Sequence, residues 1–541
     1  MRLKKDSSEQ KLRGAYYTPL QLADAMVELF ASQDISTVLE PSCGDGVFLD
    51  ALQNRNLLNK VDKLMAVEIE LDEAEKVRSR YSGFGQIEVC NEDFFDFYNR
   101  VLGQKQFDLI LGNPPYIRYQ YLKESQREMQ SQILTSHGMK ANKLINAWVA
   151  FIVACVQLLS EKGKIAFVIP AEILQVAYAE DLRLYLANNL AKITLITFEQ
   201  LVFPDIEQEV VVFVGEKGAE EKGIRIIEMH DLSGFSCLTL DQNGFQKLQH
   251  VKEKWTKYFV TAEEMTLIQE LRKDKRFTKF SEYGVINVGI TTGNNRYFSI
   301  TEELSEQYQL NEVTIPLIGR SSHAHGIYFT TKDWENNKLS GKRARLINFP
   351  DIPYDEYPAK HKEYIMLGET NGEHEGYKCS IRERWYIIPS VWVPDAFFLR
   401  RNNLYPKFVL NCCSAVSTDT MHRMKFNANV EPENILLAYY NSVSFAFTEI
   451  CGRSYGGGVL EILPGEMGNI LLPKIEHIDS GLRNNILEEV DRIIRNNENI
   501  EKALDLVDQE ILVNLLKIEP DICMRFRLIW KKMQKRRLGR G

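Results

Sequence analysis

Asn113-Pro114-Pro115-Tyr116 is the densest chemical signal in this 541-residue chain. It follows the apolar run Phe107–Gly112, which places it at the end of a strand. Two prolines fix φ and carry no N–H, so the carbonyl oxygens of such a loop are free to face a ligand. Asn113 adds a side-chain oxygen and Tyr116 a flat ring. Two acceptors converging on a planar amino group, over an aromatic face, would draw the nitrogen lone pair out of conjugation and make an exocyclic amine nucleophilic. That chemistry needs no covalent intermediate, and no Pro-Cys dipeptide is present to attack a ring carbon instead.

Three carboxylates precede this loop at comparable positions. Val38-Leu39-Glu40-Pro41-Ser42-Cys43-Gly44-Asp45-Gly46 reads as a strand entering a Gly-rich turn that opens a helix. Such a turn lets backbone approach a ligand at the carboxyl end of an open sheet. It is neither GxGxxG nor GxxxxGK, which excludes dinucleotide and P-loop phosphate sites. Glu68 ends the next apolar strand, where a carboxylate can hold both ribose hydroxyls, and Asp93 with Phe94 follows the third, where an adenine ring can be hydrogen-bonded and stacked. In register on successive strands, these acids describe a nucleoside site.

The elements that must position them are legible from about residue 15 to 215. Strands are expected at Thr37–Leu39, Lys63–Glu68, Gln86–Val89, Phe107–Gly112, Lys164–Ile169, Ile193–Phe198 and Val210–Gly215. Amphipathic helices are expected at Leu20–Ala31, Val47–Asn54, Glu70–Arg80, Lys143–Leu159 and Ala179–Asn188. Alternating strands and helices make a doubly wound α/β domain on a parallel sheet. After about residue 248 the regularity gives way to short mixed strands, aromatic clusters (Tyr354–Tyr357, Glu383–Trp392) and turn-rich stretches (Gly289–Tyr297), the marks of a second, mixed α+β domain. From about Asn434 helices return, with a packed pair expected over Leu482–Leu516. The domain plan is a charged tail over 1–14, an α/β domain over 15–248, a mixed domain over 249–475 and a helical C-terminal region over 476–541.

The chain has 66 basic and 74 acidic residues, a net charge of -8, 44% hydrophobic residues and only 17 Pro and 32 Gly. This is a globular composition, not a disordered or fibrous one, and not that of a protein that coats nucleic acid by charge alone. Basic charge is segregated, however: residues 271–430 carry 22 Lys or Arg against 18 Asp or Glu, a surplus of four that leaves -12 for the remainder. Arg525 to Gly541 holds Arg525, Arg527, Lys531, Lys532, Lys535, Arg536, Arg537 and Arg540 without an acid, as either a phosphate-seeking tail or a solvated helix end. Nine cysteines without a CxxC pair support neither a zinc site nor a disulfide framework, so no metal and a reducing cytoplasm are expected. Neither a signal peptide nor a membrane span is read.

Residues 15–215 resemble the S-adenosylmethionine-dependent amino methyltransferases of DNA, in the motif order of the gamma class represented by the TaqI methyltransferase. Tyr17-Thr18-Pro19 precedes the cofactor turn, Asn-Pro-Pro-Tyr follows, and a large specificity region is C-terminal. Asn146–Phe151 looks like the helix under the methionine moiety, and Leu201-Val202-Phe203-Pro204 before Val210–Val214 looks like the aromatic loop and strand. The resemblance implies a Rossmann-like methyltransferase domain followed by a DNA target-recognition domain. S-Adenosylmethionine would be contacted by Thr18, Glu40, Cys43, Gly44, Gly46, Glu68, Ile69, Asp93, Phe94, Pro115 and Phe151. Asn113, Pro114, Pro115 and Tyr116 would be catalytic, with Tyr116 and Phe203 stacking on a flipped adenine.

The same resemblance implies site-specific N6-adenine methylation in a restriction-modification system, by a monomer acting on double-stranded DNA, with a separately encoded cognate endonuclease as its counterpart. Asn-Pro-Pro-Tyr also occurs in methyltransferases of protein glutamine and ribosomal guanine, and cytosine N4 is a related target, so the tetrapeptide alone does not name the substrate. An inactive DNA-binding module is the reading from another class. No nuclease segment of the form Pro-Asp…(Asp/Glu)-x-Lys is found. In the recognition region Arg296, Arg320, Arg382, Arg384, Arg400, Arg401, His422, Arg423 and Arg453 can pair with guanine edges or phosphates, and none is assigned to a base. Gly456-Gly457-Gly458 is either a close backbone approach or a flexible turn.

Overall fold

The computed structural model describes residues 17–140, 145–198, 209–219, 222–238, 240, 244–247, 254–475 and 477–539. The expected N-terminal tail and the aromatic loop with Phe203 lie outside these residues.

Apolar runs bounded by turns become the strands of an eight-stranded sheet: β1 Thr37–Glu40, β2 Lys63–Glu68, β3 Ile87–Asn91, β4 Phe107–Gly112, β5 Leu159–Pro170, β6 Lys192–Phe198, β7 Val210–Glu216 and β8 Gly223–Met229. Their spatial order is β3-β2-β1-β4-β5-β7-β6-β8. Strands β3 to β5 run parallel, so the chain order reverses between β1 and β4. Such a reversal leaves a crevice outside the carboxyl ends of those two strands, the ordinary ligand position in an open α/β sheet. At the opposite end Asp108 of β4 accepts from Thr37 N (3.0 Å) and from the Ser160 hydroxyl of β5 (2.9 Å), which pins β1, β4 and β5 together.

The helices of this region are α1 Leu20–Glu28, α2 Val47–Asn54, α3 Leu71–Arg80, α4 Phe94–Val101, α5 Glu124–Ser136, α6 Ala147–Gln157 and α7 Glu180–Asn189. Helix α6 is buried along its length because it lacks a charged face, unlike α3, which buries only Ala74 and Val77. Three features depart from expectation. β7 runs antiparallel to both β5 and β6, which residue periodicity does not encode. β8 is an additional strand, parallel to β6. Helices α4 and α5 were not anticipated.

Two compact units make up the chain, one to Ala262 and one from Glu263. The division falls beyond the expected 248/249 boundary because the turn of helix Trp255–Phe259 packs against β8, with Trp255 fully buried in the first unit. The second unit is mixed α+β. A five-stranded sheet orders Gly284–Val288, Met421–Phe426, Ala396–Leu399, Phe408–Cys412 and Tyr328–Thr330; a four-stranded sheet orders Ser299–Ile300, Arg345–Ile347, Thr314–Ile318 and Val416–Ser417. Aromatic residues, including Tyr297, Phe298, Tyr364 and Tyr386, form much of one of its cores.

The helical C-terminus belongs to this unit rather than standing apart. Ser480–Arg495 packs on Glu501–Val507, which continues as a π-helical stretch to Leu515. The basic segment after Arg525 is not wholly solvated, and its last residues, Arg540 and Gly541, lie outside the described residues. It is the face of the helix Pro520–Leu538, in which Arg527 pairs with Asp508 (3.0 Å) and Arg537 with Glu449 (2.8 Å), both arginines buried.

Candidate functional site

The turn after β1 forms because Gly44 and Gly46 adopt the left-handed backbone, φ 52° and 86°. L-residues with side chains rarely do so, and a Cβ on Gly46 would meet Val77 Cγ2 at 3.0 Å. The turn's first amide, Gly44 N, donates to Glu68 Oε2 at 2.8 Å, and Glu70 N donates to Glu68 Oε1 at 2.9 Å. The carboxylate at the end of β2 is thereby aimed by backbone at the end of β1. Ser42 Oγ donates to the Asn113 carbonyl at 3.3 Å, tying the same turn to the loop after β4.

Together these segments enclose a cavity of about 300 Å³. Thr18, Glu40, Cys43, Gly44, Glu68, Ile69, Asp93, Phe94, Asn113, Pro115 and Phe151 all line it, with no Lys or Arg among the lining residues. Gly46, Pro114 and Tyr116 are not among the lining residues. Tyr116 is nearly buried and donates its hydroxyl to the Val168 carbonyl of β5 at 3.1 Å, so the ring is anchored at its edge. Phe94 and Phe151 stack with centroids 4.5 Å apart and planes at 25°, with Phe95 edge-on to Phe151 at 5.1 Å. Phe203 falls outside the described residues.

Glu40 is the electrostatic oddity of the site. It is 2% exposed, and its Oε2 has no hydrogen-bond partner among the described residues. Burial first, then repulsion from Asp45, Glu68 and Asp50, holds its carboxyl well above the ordinary value. Burial also raises Glu68 and Asp45. A buried acceptor without a donor, in a cavity walled by acids, is suited to a ligand that brings N–H or O–H donors and positive charge.

Asp93 lines the cavity and also makes contacts within the protein. Its Oδ1 caps α4 by accepting from Phe95 N at 2.8 Å, and its Oδ2 accepts from Gln126 Nε2 at 2.7 Å. Tyr17, from the Tyr17-Thr18-Pro19 segment, also lines the cavity, as do Ile117, Leu122 and Gln126, which were not singled out in the sequence because they come from the segment around α5, where no motif announces them. Among the described residues no group of His, Cys, Asp and Glu could hold a metal ion, and no helix is long and apolar enough to cross a membrane.

Residues 39–203 match the family described as Eco57I restriction-modification methylase, and residues 252–512 match the C-terminal domain of Type II methyltransferase M.Eco57I. Type II methyltransferase M.AccI of Acinetobacter calcoaceticus is 24% identical over 523 residues, covering 91% of this chain and 92% of the relative. Type II methyltransferase M.HincII of Haemophilus influenzae is 30% identical over 241 residues, covering 44% of each. Among solved structures, the Type IIL restriction-modification enzyme MmeI, determined in complex with DNA, aligns with 98% of this chain and 80% of its own at a TM-score of 0.55 and 14% identity, a likeness of fold.

Proposed function

The chain carries both domains of the Eco57I-type restriction-modification methylases, and from that premise we propose that it methylates the N6 amino group of an adenine turned out of double-stranded DNA, with S-adenosylmethionine as methyl donor. The observation that carries this reading is that Asn113 and Pro115 of the loop after β4 and the acidic turn after β1 line one cavity. S-Adenosylmethionine, when bound, supplies an electrophilic sulfonium methyl. Glu68, held by two backbone amides, is the group for the ribose hydroxyls. The Glu40 carboxyl and the acidic wall suit the cationic end of such a ligand, and the Phe94–Phe151 pair offers it an apolar wall.

A base inside a duplex cannot present its amino group to a pocket of this kind, so it must be extruded, at a cost of a few kcal/mol. Because the Tyr116 hydroxyl is committed to Val168, what Tyr116 offers the extruded base is its ring face; stacking of that kind contributes about 1–3 kcal/mol. Phe203 is the proposed second ring. Asn113 Oδ1 and the Pro114 carbonyl would accept the two amino hydrogens, localising the lone pair on nitrogen. The nitrogen would become tetrahedral as it takes the methyl, the carbon–sulfur bond breaking with its electron pair left on a neutral thioether sulfur, and the surplus proton on nitrogen would pass to water. Orientation supplies most of the rate. The enzyme is proposed to act as a monomer alongside a separately encoded endonuclease.

Incubation with radiolabelled S-adenosylmethionine and unmethylated bacterial DNA should label the DNA, and nucleoside analysis should return N6-methyladenine. Label in N4-methylcytosine would reassign the base; label only in RNA or protein would overturn the DNA reading.

A further inference from the structure

Of the nine basic side chains that the sequence marks out in the second unit, seven are already engaged within the protein. Arg400, Arg401 and Arg453 pair with Glu461, Glu461 and Glu466. Arg384 pairs with Asp351, Arg382 and Arg423 donate to backbone carbonyls, and His422 bonds the Ile462 carbonyl. The remaining two, Arg296 and Arg320, are exposed and make no side-chain hydrogen bond or ion pair among the described residues. They come from different segments: Arg296 from the short helix Asn295–Phe298, Arg320 from the turn after the strand Thr314–Ile318. Both open on one pocket of about 490 Å³ within the second unit.

Lys342 and Arg343, from a third turn, line the same pocket, and no Asp or Glu does. Arg343 reaches across it to donate to the Arg296 carbonyl at 2.9 Å, while Lys342 is held by Asn337 Oδ1 at 2.7 Å. Ser322 and Thr418 add hydroxyls. Four cations facing one space, in a chain of net charge -8, form an uncompensated positive field. Burial, and after it the charges of Lys342 and Arg320, push His323 on the pocket wall down to about 4. Among these side chains donors outnumber acceptors, and the one amide on the wall, Asn295, is committed to Thr292 and Asp419. Recognition of an adenine or cytosine edge needs an acceptor for its amino group; an anion needs donors and charge only.

We propose that this pocket seats backbone phosphates of the bound DNA, with Arg296 and Arg320 as contacts that hold the duplex without reading its sequence. The inference rests on the DNA reading given above. Its test is fluorescence-anisotropy titration of the full chain with a duplex carrying the methylated site and with a scrambled duplex, across 50–200 mM salt. Two released counterion contacts correspond to about 2 units of log-log salt slope, and to about thirtyfold in affinity near 0.15 M salt. The double variant Arg296→Gln/Arg320→Gln should lose that much on both duplexes alike, with unchanged S-adenosylmethionine affinity reporting an intact first unit. Lys332→Gln/Lys360→Gln, which removes two cations that do not line the pocket, should leave the slope within a few tenths.

An unchanged slope in the arginine variant, or an equal loss in the lysine control, would overturn the proposal. A loss confined to the site-bearing duplex would overturn it in favour of guanine reading. If the wild-type chain binds neither duplex, the DNA reading itself falls, and this inference with it.

Discussion

Glu40 ends β1 as a carboxyl whose charged form burial and three neighbouring acids disfavour. Its folded pKa lies above the ordinary 4.5, so the stability it contributes is complete below that value and is lost as pH rises through the raised one. Glu40→Gln should therefore flatten the decline of thermal stability above the ordinary carboxyl range, seen as a smaller Tm difference between pH 5 and pH 8 than in the parent. A cationic, donor-bearing ligand favours the ionised form, so its binding releases a proton, and affinity for S-adenosylmethionine should rise with pH over the same window. Calorimetry in buffers of different ionisation enthalpy reads that proton, and its absence would remove Glu40 from the ligand's surroundings. At this scale Glu40 and Glu68 were legible because each ends an apolar run, and both line the cavity. Sequence reading could not foresee that both Asp93 oxygens are used by Phe95 N and Gln126, since a cap and a ligand contact call for the same residue in the same place.

The turn between β1 and α2 is the element on which the site depends. Its conformation requires Gly46 at φ 86°, where an alanine would carry about 1–2 kcal/mol of backbone strain and press on Val77. Gly46→Ala should lower unfolding free energy by about that amount and weaken S-adenosylmethionine binding several-fold, although Gly46 does not itself line the cavity. Gly83→Ala, where a Cβ meets nothing within 4 Å, should change neither. Denaturant titration and equilibrium dialysis separate the two. The buried parallel strands were legible because both of their faces are covered and they read as continuous apolar runs. β8 was not, since Gly223–Met229 sets Arg225 and Glu228 within a short run. Helix α5 buries only Gln130, Ile133 and Leu134 of its thirteen residues, too little for a periodic signal. Strand direction, which separates β7 from its neighbours, leaves no trace in residue spacing at all.

At the scale of the whole chain, a basic C-terminal run that looks solvent-seeking in one dimension proves to be a packed helix, because its partners Glu449 and Asp508 are distant in sequence and invisible to local charge counting. Arg537 is 1% exposed and also bonds the Gly458 carbonyl. Arg537→Ala would strand the Glu449 carboxylate and should destabilise the second unit by about 3–5 kcal/mol, while Arg537→Met with Glu449→Leu should recover most of that loss in denaturant unfolding. The two-unit plan and the acidic cavity lead to one claim, that Asn113 activates an extruded adenine. The most direct test is single-molecule mapping of modified bases in unmethylated DNA treated with the parent chain and with Asn113→Ala. The account predicts N6-methyladenine at one short sequence for the parent, and a rate at least about 10²-fold lower for the variant with S-adenosylmethionine affinity preserved. Undiminished methylation by Asn113→Ala, or no methylated adenine from a parent chain that binds S-adenosylmethionine, would contradict it.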